Sequence, residues 1–239
     1  PLTYILHRFV NQEALKGYQD SVHYQPKAPS TKSFDFFGGI RVVLTHPYVA
    51  GIFGLIFFHE LISSVMNFQM LTIAKATYPD AGMVNKYLFD YALAVQTIAC
   101  SFALVGTSFF QRKFGITFCI VAYPLLLGSS ILWYFINPNL HTIFYVMLIA
   151  KAMNFAFNQP AKEVLYIPTS KDIKYKSKAW VDMFGMRFAK ASGATLNKLA
   201  GQTSVTGFVV IGFIGAWVVL ANLMGKHFQK AVNEKRVID

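Results

Sequence analysis

Three long stretches of this sequence contain no charged residue, and they constrain its fold more than any other feature. They run from Tyr91 to Gln111, from Phe114 to Ala150 and from Leu199 to Gly225. A helix that crosses a bilayer needs about 20 mainly apolar residues, because lipid offers no hydrogen-bonding partner to an exposed backbone. Since 54% of the residues are apolar, 14% are charged and the mean hydropathy is +0.42, we predict an all-α, polytopic membrane protein.

Turn residues and two further apolar stretches bring the predicted count to about six transmembrane helices. The second charge-free run is long enough for nearly two spans. The residues Asn137–Asn139, with a central proline, divide it into one helix that ends near Ile136 and another that begins near Leu140. Two apolar stretches that contain ionised residues, 47–74 and 179–203, complete the set.

The loop charges predict the orientation, because Lys and Arg accumulate in cytoplasmic loops. The loops after the second, fourth and sixth spans are basic, whereas the other side carries only Lys75, Lys86 and Lys198. Both termini are therefore predicted to be cytoplasmic. The predicted organisation is a linker with an interfacial helix over residues 1–46, a six-helix bundle over 47–225 and a basic cytoplasmic tail over 226–239.

Composition and motifs argue against several other classes of protein. The net charge of +11 follows the loop pattern, which favours a membrane orientation signal over a nucleic-acid-binding surface. The sequence has no P-loop, no nucleophile elbow and no His-Glu-x-x-His motif, so we predict neither an enzyme nor a cofactor or metal site. Cys100 and Cys119 lie in apolar runs, and we interpret them as small apolar residues.

Five ionised side chains fall inside predicted spans, where a central charge costs about 2.5–3.5 kcal/mol and is therefore a functional hypothesis. They are Glu60, Lys151, Asp182, Arg187 and Lys190. Arg187 and Lys190 are three residues apart and share a helix face, and inward-facing cations suit an anionic, phosphate-bearing substrate. The alternative is that these ions neutralise one another, Glu60 with Lys151 and Asp182 with Arg187, and serve only packing and insertion.

A distinctive string of residues extends from the fourth predicted span into the fifth. It consists of Lys151, Pro160, Lys162, Glu163, Tyr166-Ile167-Pro168, Lys174, Lys176, Lys178, Asp182, Lys190 and Gly193. This string resembles the nucleotide transporter family, the ADP/ATP translocases of plastids and obligate intracellular bacteria, which is distinct from the mitochondrial carrier. The resemblance implies half of a twelve-helix transporter of the major facilitator type. The chain, which begins at Pro1, is then expected to be the C-terminal half, with an N-terminal six-helix half as its partner.

The resemblance also implies exchange of nucleotides, commonly ATP against ADP, by alternating access without hydrolysis. The membrane would be a bacterial inner membrane or a plastid envelope. Lys190 is the clearest carry-over of a binding residue, followed by Lys151, and Asn154 occupies a position where family members usually have a second lysine. The expected gate or solvated cytoplasmic loop consists of Lys162, Glu163, Lys174, Lys176 and Lys178.

The first span departs from the family pattern. Ser64, Asn67 and Leu71 stand where family members usually have an asparagine, a glutamate and a lysine, and Glu60 lies one turn before the expected acid. Two alternatives therefore remain open. One is a divergent carrier of another anionic or phosphorylated metabolite, and the other is a membrane interaction protein without transport activity.

Overall fold

The computed structural model describes residues 36–105, 114–200 and 203–234, which fold into helices. The α-helices are α1 Phe36–Thr45, α2 Pro47–Thr77, α3 Ala81–Val105, α4 Ile116–Ile136, α5 Leu140–Met153, α6 Gln159–Leu165, α7 Lys171–Trp180, α8 Met186–Ala200 and α9 Thr203–Asn233. A π-helical segment, π1 Asn154–Asn158, joins α5 to α6, and a second, π2 Val181–Gly185, joins α7 to α8. The predicted linker before residue 36 lies outside the described residues.

Four helical runs among the described residues are long and apolar enough to cross a membrane. They are Pro47–Thr77, Ile116–Ile136, Leu140–Leu165 and Thr206–Asn233. The chain is therefore an all-α, polytopic membrane protein. The two other long runs, α3 and the run from α7 to α8, are not among these four, so the count of six spans stays a prediction.

The turn at 137–139 confirms the predicted division between two helices. α4 ends at Ile136 and α5 begins at Leu140. Asn139 caps α5, because its side-chain oxygen accepts a hydrogen bond of 2.8 Å from the backbone N–H of Thr142. At the other end of the chain, α9 continues to Asn233, so the described part of the predicted tail extends the last helix. Phe228 is buried there and packs on the core.

Helix α2 lies at the centre of the bundle, between α8 and α9, because small residues allow close packing on its two sides. A Cβ atom at Gly193 of α8 would lie 2.7 Å from the backbone oxygen of Leu61. A Cβ atom at Gly51 of α2 would collide with the sulfur of Met224 in α9. The contact at Gly193 holds the middle of α2, where Glu60 lies, directly against α8.

Candidate functional site

An ion pair joins the middle of α2 to α8. Lys190 Nζ lies 3.5 Å from Glu60 Oε2, and the Glu60 side chain is 12% exposed whereas that of Lys190 is 59% exposed. One turn further along α2, Ser64 Oγ donates a hydrogen bond of 3.0 Å to the backbone oxygen of Lys190. The close approach at Gly193 keeps both contacts in register. Two of the predicted site residues, Lys190 and Glu60, thus form one ion pair that bridges α8 and α2.

A buried histidine adjoins this pair. His59 Nδ1 lies 2.8 Å from the hydroxyl oxygen of Tyr123 in α4, and His59 Nε2 lies 3.9 Å from Glu60 Oε1. The imidazole also packs against Trp217 of α9, with ring centroids 6.1 Å apart. Sequence reasoning missed Tyr123 and Trp217. The sequence marks them only as aromatic residues that carry a polar group within an apolar span.

Two cavities adjoin the contact between His59 and Tyr123. His59 lines the first together with Lys151, and Tyr123 lines the second together with Asn158 and Lys162. Lys190 pairs with Glu60, whose other carboxylate oxygen lies 3.9 Å from His59 Nε2. Lysines of α5 and α6 therefore line the two cavities, and a lysine of α8 pairs with the carboxylate beside His59. Lys162 is partly buried at its cavity, although we expected it in a gate or solvated loop.

The π1 segment lies between Lys151 and Lys162. Its two asparagines are buried, and Asn158 Nδ2 donates a hydrogen bond of 2.7 Å to Asn154 Oδ1. π-Helical turns inside α-helices occur frequently at functional sites, because they re-aim the side chains on either side. Asn154 therefore takes part in a buried amide pair next to the two cavities.

In the part of the chain that the structure describes, the ionised side chains of the spans do not form the two neutralising pairs considered in the sequence analysis, Glu60 with Lys151 and Asp182 with Arg187. Asp182, in π2, and Arg187 are both exposed. Among the described residues, Glu60 is paired with Lys190 and not with Lys151, and Asp182 forms no ion pair with Arg187. The reason is tertiary, because α2 packs closely on α8 and this places Lys190 beside Glu60.

Three of the five predicted gate residues, Glu163, Lys176 and Lys178, form ion pairs on α6 and α7. Lys178 Nζ lies 2.6 Å from Glu163 Oε1, which ties α7 to α6, and Lys176 Nζ lies 2.7 Å from Asp172 Oδ2 within α7. Lys174 is half-buried on the same helix. The described residues contain no group of three His, Cys, Asp or Glu side chains that could hold a metal ion.

Comparisons with known proteins give the following matches. The family model "TLC ATP/ADP transporter" matches residues 143–228. "ADP,ATP carrier protein 1" of Rickettsia prowazekii is 23% identical, over 98% of this chain and 53% of the relative. "ADP,ATP carrier protein 3" of Rickettsia bellii is 21% identical, over 93% and 48%, and "ADP,ATP carrier protein 2, chloroplastic" of Arabidopsis thaliana is 20% identical, over 83% and 36%. No solved structure matches the chain. The chain thus spans 36% to 53% of the length of these relatives.

Proposed function

Since these matches confirm the resemblance to the nucleotide transporter family, we propose that the chain forms part of a membrane carrier for nucleotides. The carrier moves ATP, ADP or a related nucleotide across the bilayer by alternating access and without hydrolysis. The names of the relatives support the substrate class. The chain's span-forming helices and the cations among them support transport through the bilayer.

The observation that carries the proposal is the Glu60–Lys190 ion pair beside the cavity lined by Lys151. In this proposal Lys151, Arg187 and Lys190 bind the phosphate groups. A phosphate that approaches Lys190 competes with Glu60 for the same ammonium group. Binding therefore weakens a link between α2 and α8, which shifts the equilibrium between two arrangements of the helices through differential contacts.

The proposal extends to the architecture of the whole carrier. We place six spans in this chain, and we propose a second six-helix half because the relatives are longer than the chain. Both termini are cytoplasmic, and the Glu163–Lys178 pair belongs to the cytoplasmic gate. Asp182 and Asn154 complete the proposed substrate-binding set.

Uptake of labelled ATP into proteoliposomes that contain the natural full-length protein tests this function. We expect Lys190→Gln to lower uptake at least about tenfold, which corresponds to the loss of about 1.4 kcal/mol of binding to a charged group. Lys190→Arg should retain part of the activity because it keeps the charge. Lys198→Gln is the matched control, since Lys198 is an exposed lysine on the same helix. Unchanged uptake by a well-folded Lys190→Gln variant would contradict the proposal.

A carrier of another phosphorylated metabolite is the second candidate function. It is favoured by the side chains that replace the usual asparagine and glutamate of the family. Ser64 donates a hydrogen bond to the backbone oxygen of Lys190, and Asn67 donates one of 2.7 Å to that of Ser63, so both are tied to helix backbones. Competition of labelled ATP uptake by inorganic phosphate and sugar phosphates separates the two candidates. A membrane interaction protein without transport would show neither uptake nor thermal stabilisation by any of these anions.

A further inference from the structure

We propose that His59 is a proton-binding site which decides whether Glu60 holds Lys190, so that a proton and an anionic substrate favour each other's binding. The inference rests on the proposed function, because the anion is the nucleotide phosphate that would bind Lys190. It goes beyond that function by adding a second bound species, a proton, to the transport cycle.

The first observation is that one carboxylate is shared by two basic groups. Glu60 Oε2 lies 3.5 Å from Lys190 Nζ, and Glu60 Oε1 lies 3.9 Å from His59 Nε2. The carboxylate is largely buried, so it needs a cation beside it at all times. When His59 is neutral, Lys190 must supply that charge. When His59 is protonated, the imidazolium supplies it, and the more exposed Lys190 is released to bind an anion.

The second observation is the hydrogen bond that orients the imidazole. When the Tyr123 hydroxyl donates to His59 Nδ1, the ring proton of the neutral histidine sits on Nε2, which is the nitrogen that faces Glu60. A proton taken from water then binds at Nδ1, and the hydroxyl of Tyr123 turns to accept a hydrogen bond from it. The ring therefore gains a charge without moving away from Glu60.

The third observation is the set of charged and titratable groups that face His59. Glu60 of α2 carries the charge opposite to that of an imidazolium, and Lys190 of α8 shares this carboxylate with His59. Lys151 of α5 and Lys162 of α6 line the two cavities that adjoin the contact between His59 and Tyr123. On α4 the facing group is Tyr123, and on α9 it is the uncharged ring of Trp217. An anion bound near these lysines cancels part of their charge and so strengthens proton binding. By linkage, a bound proton strengthens anion binding by the same factor.

The test is the pH dependence of the KM for labelled ATP in proteoliposomes of the natural full-length protein. For the wild-type protein we expect the KM to rise with pH by up to about tenfold per pH unit where His59 titrates, which is the limit for one linked proton. His59→Gln should give a KM that follows only the titration of the nucleotide. His141→Gln is the matched control, because His141 is exposed at the start of α5, and it should keep the wild-type profile.

The same variants give the results that would overturn the proposed role of His59. A wild-type pH dependence in His59→Gln would mean that another group binds the proton, and would overturn it. If His59→Gln does not fold, Tyr123→Phe decides: a shifted pH profile supports the inference and an unchanged profile overturns it. Absence of uptake at every pH would instead refute the carrier function itself.

Discussion

Replacing Lys190 in the Glu60–Lys190 pair should lower the free energy of unfolding much more than replacing Glu60. The Glu60 side chain is 12% exposed, whereas that of Lys190 is 59% exposed. Lys190→Gln leaves a nearly buried carboxylate, whose nearest remaining basic group is His59 at 3.9 Å. Glu60→Gln leaves a lysine that can reach water. We therefore expect Lys190→Gln to be the more destabilising of the two substitutions.

The magnitude follows from the distance and the exposure. Two unit charges 3.5 Å apart attract each other by about 4–5 kcal/mol at an effective dielectric constant of about 20. Solvent around Lys190 screens the pair, and fully exposed pairs contribute only about 0–1 kcal/mol. Loss of one partner from a buried pair costs about 3–5 kcal/mol. For this half-buried pair we expect about 2–3 kcal/mol for Lys190→Gln and about 1 kcal/mol or less for Glu60→Gln.

A double-mutant cycle measured by denaturant unfolding in detergent micelles tests this reasoning. The two single variants and the double variant should give a coupling energy of about 1–2 kcal/mol between the two side chains. Equal losses from both single variants would refute the argument from burial. A coupling energy below about 0.5 kcal/mol would show that the two charges do not interact in the folded protein.

Two further predictions concern the packing around the site. Gly193→Ala should push α8 away from Leu61 and reduce ATP uptake normalised to expression, whereas Gly212→Ala, where a Cβ atom would meet nothing within 4 Å, should leave uptake unchanged. Asn158→Leu should cost about 1–3 kcal/mol in thermal or denaturant unfolding because it leaves a buried amide unpaired, whereas the exposed Gln159→Leu should cost less than about 0.5 kcal/mol. Similar losses within either pair of variants would contradict these assignments.

The sequence predicted most accurately the features that depend on neighbouring residues. The end of α4 at Ile136 and the start of α5 at Leu140 follow from the local chemistry of Asn137–Asn139. The membrane class follows from long charge-free runs, since no soluble fold would need them. Both features are decided within one helix or one turn, where composition and spacing contain the necessary information.

Features that depend on packing between helices could not be predicted in this way. The partner of Glu60 is decided by the register of α2 against α8, and Gly193 sets that register by a contact that the sequence alone does not reveal. The two π-helical segments were also missed, because the insertion of one residue into a helical turn has no strong sequence signal. These two segments widen the helix at Asn154 and at Asp182.

The exposed side chains of α8 indicate which face of this helix an anion would have to reach. Arg187 and Lys190 are three residues apart and share one face, while the exposed side chains of Phe188 and Leu199 lie on another. Lipid tolerates the apolar face, but the charge of an exposed arginine makes contact with acyl chains unfavourable by several kcal/mol. The cationic face must therefore meet water or further protein. Since Glu60 pairs with Lys190 on that same face, its ion pair lies where a phosphate arriving from water could displace the carboxylate.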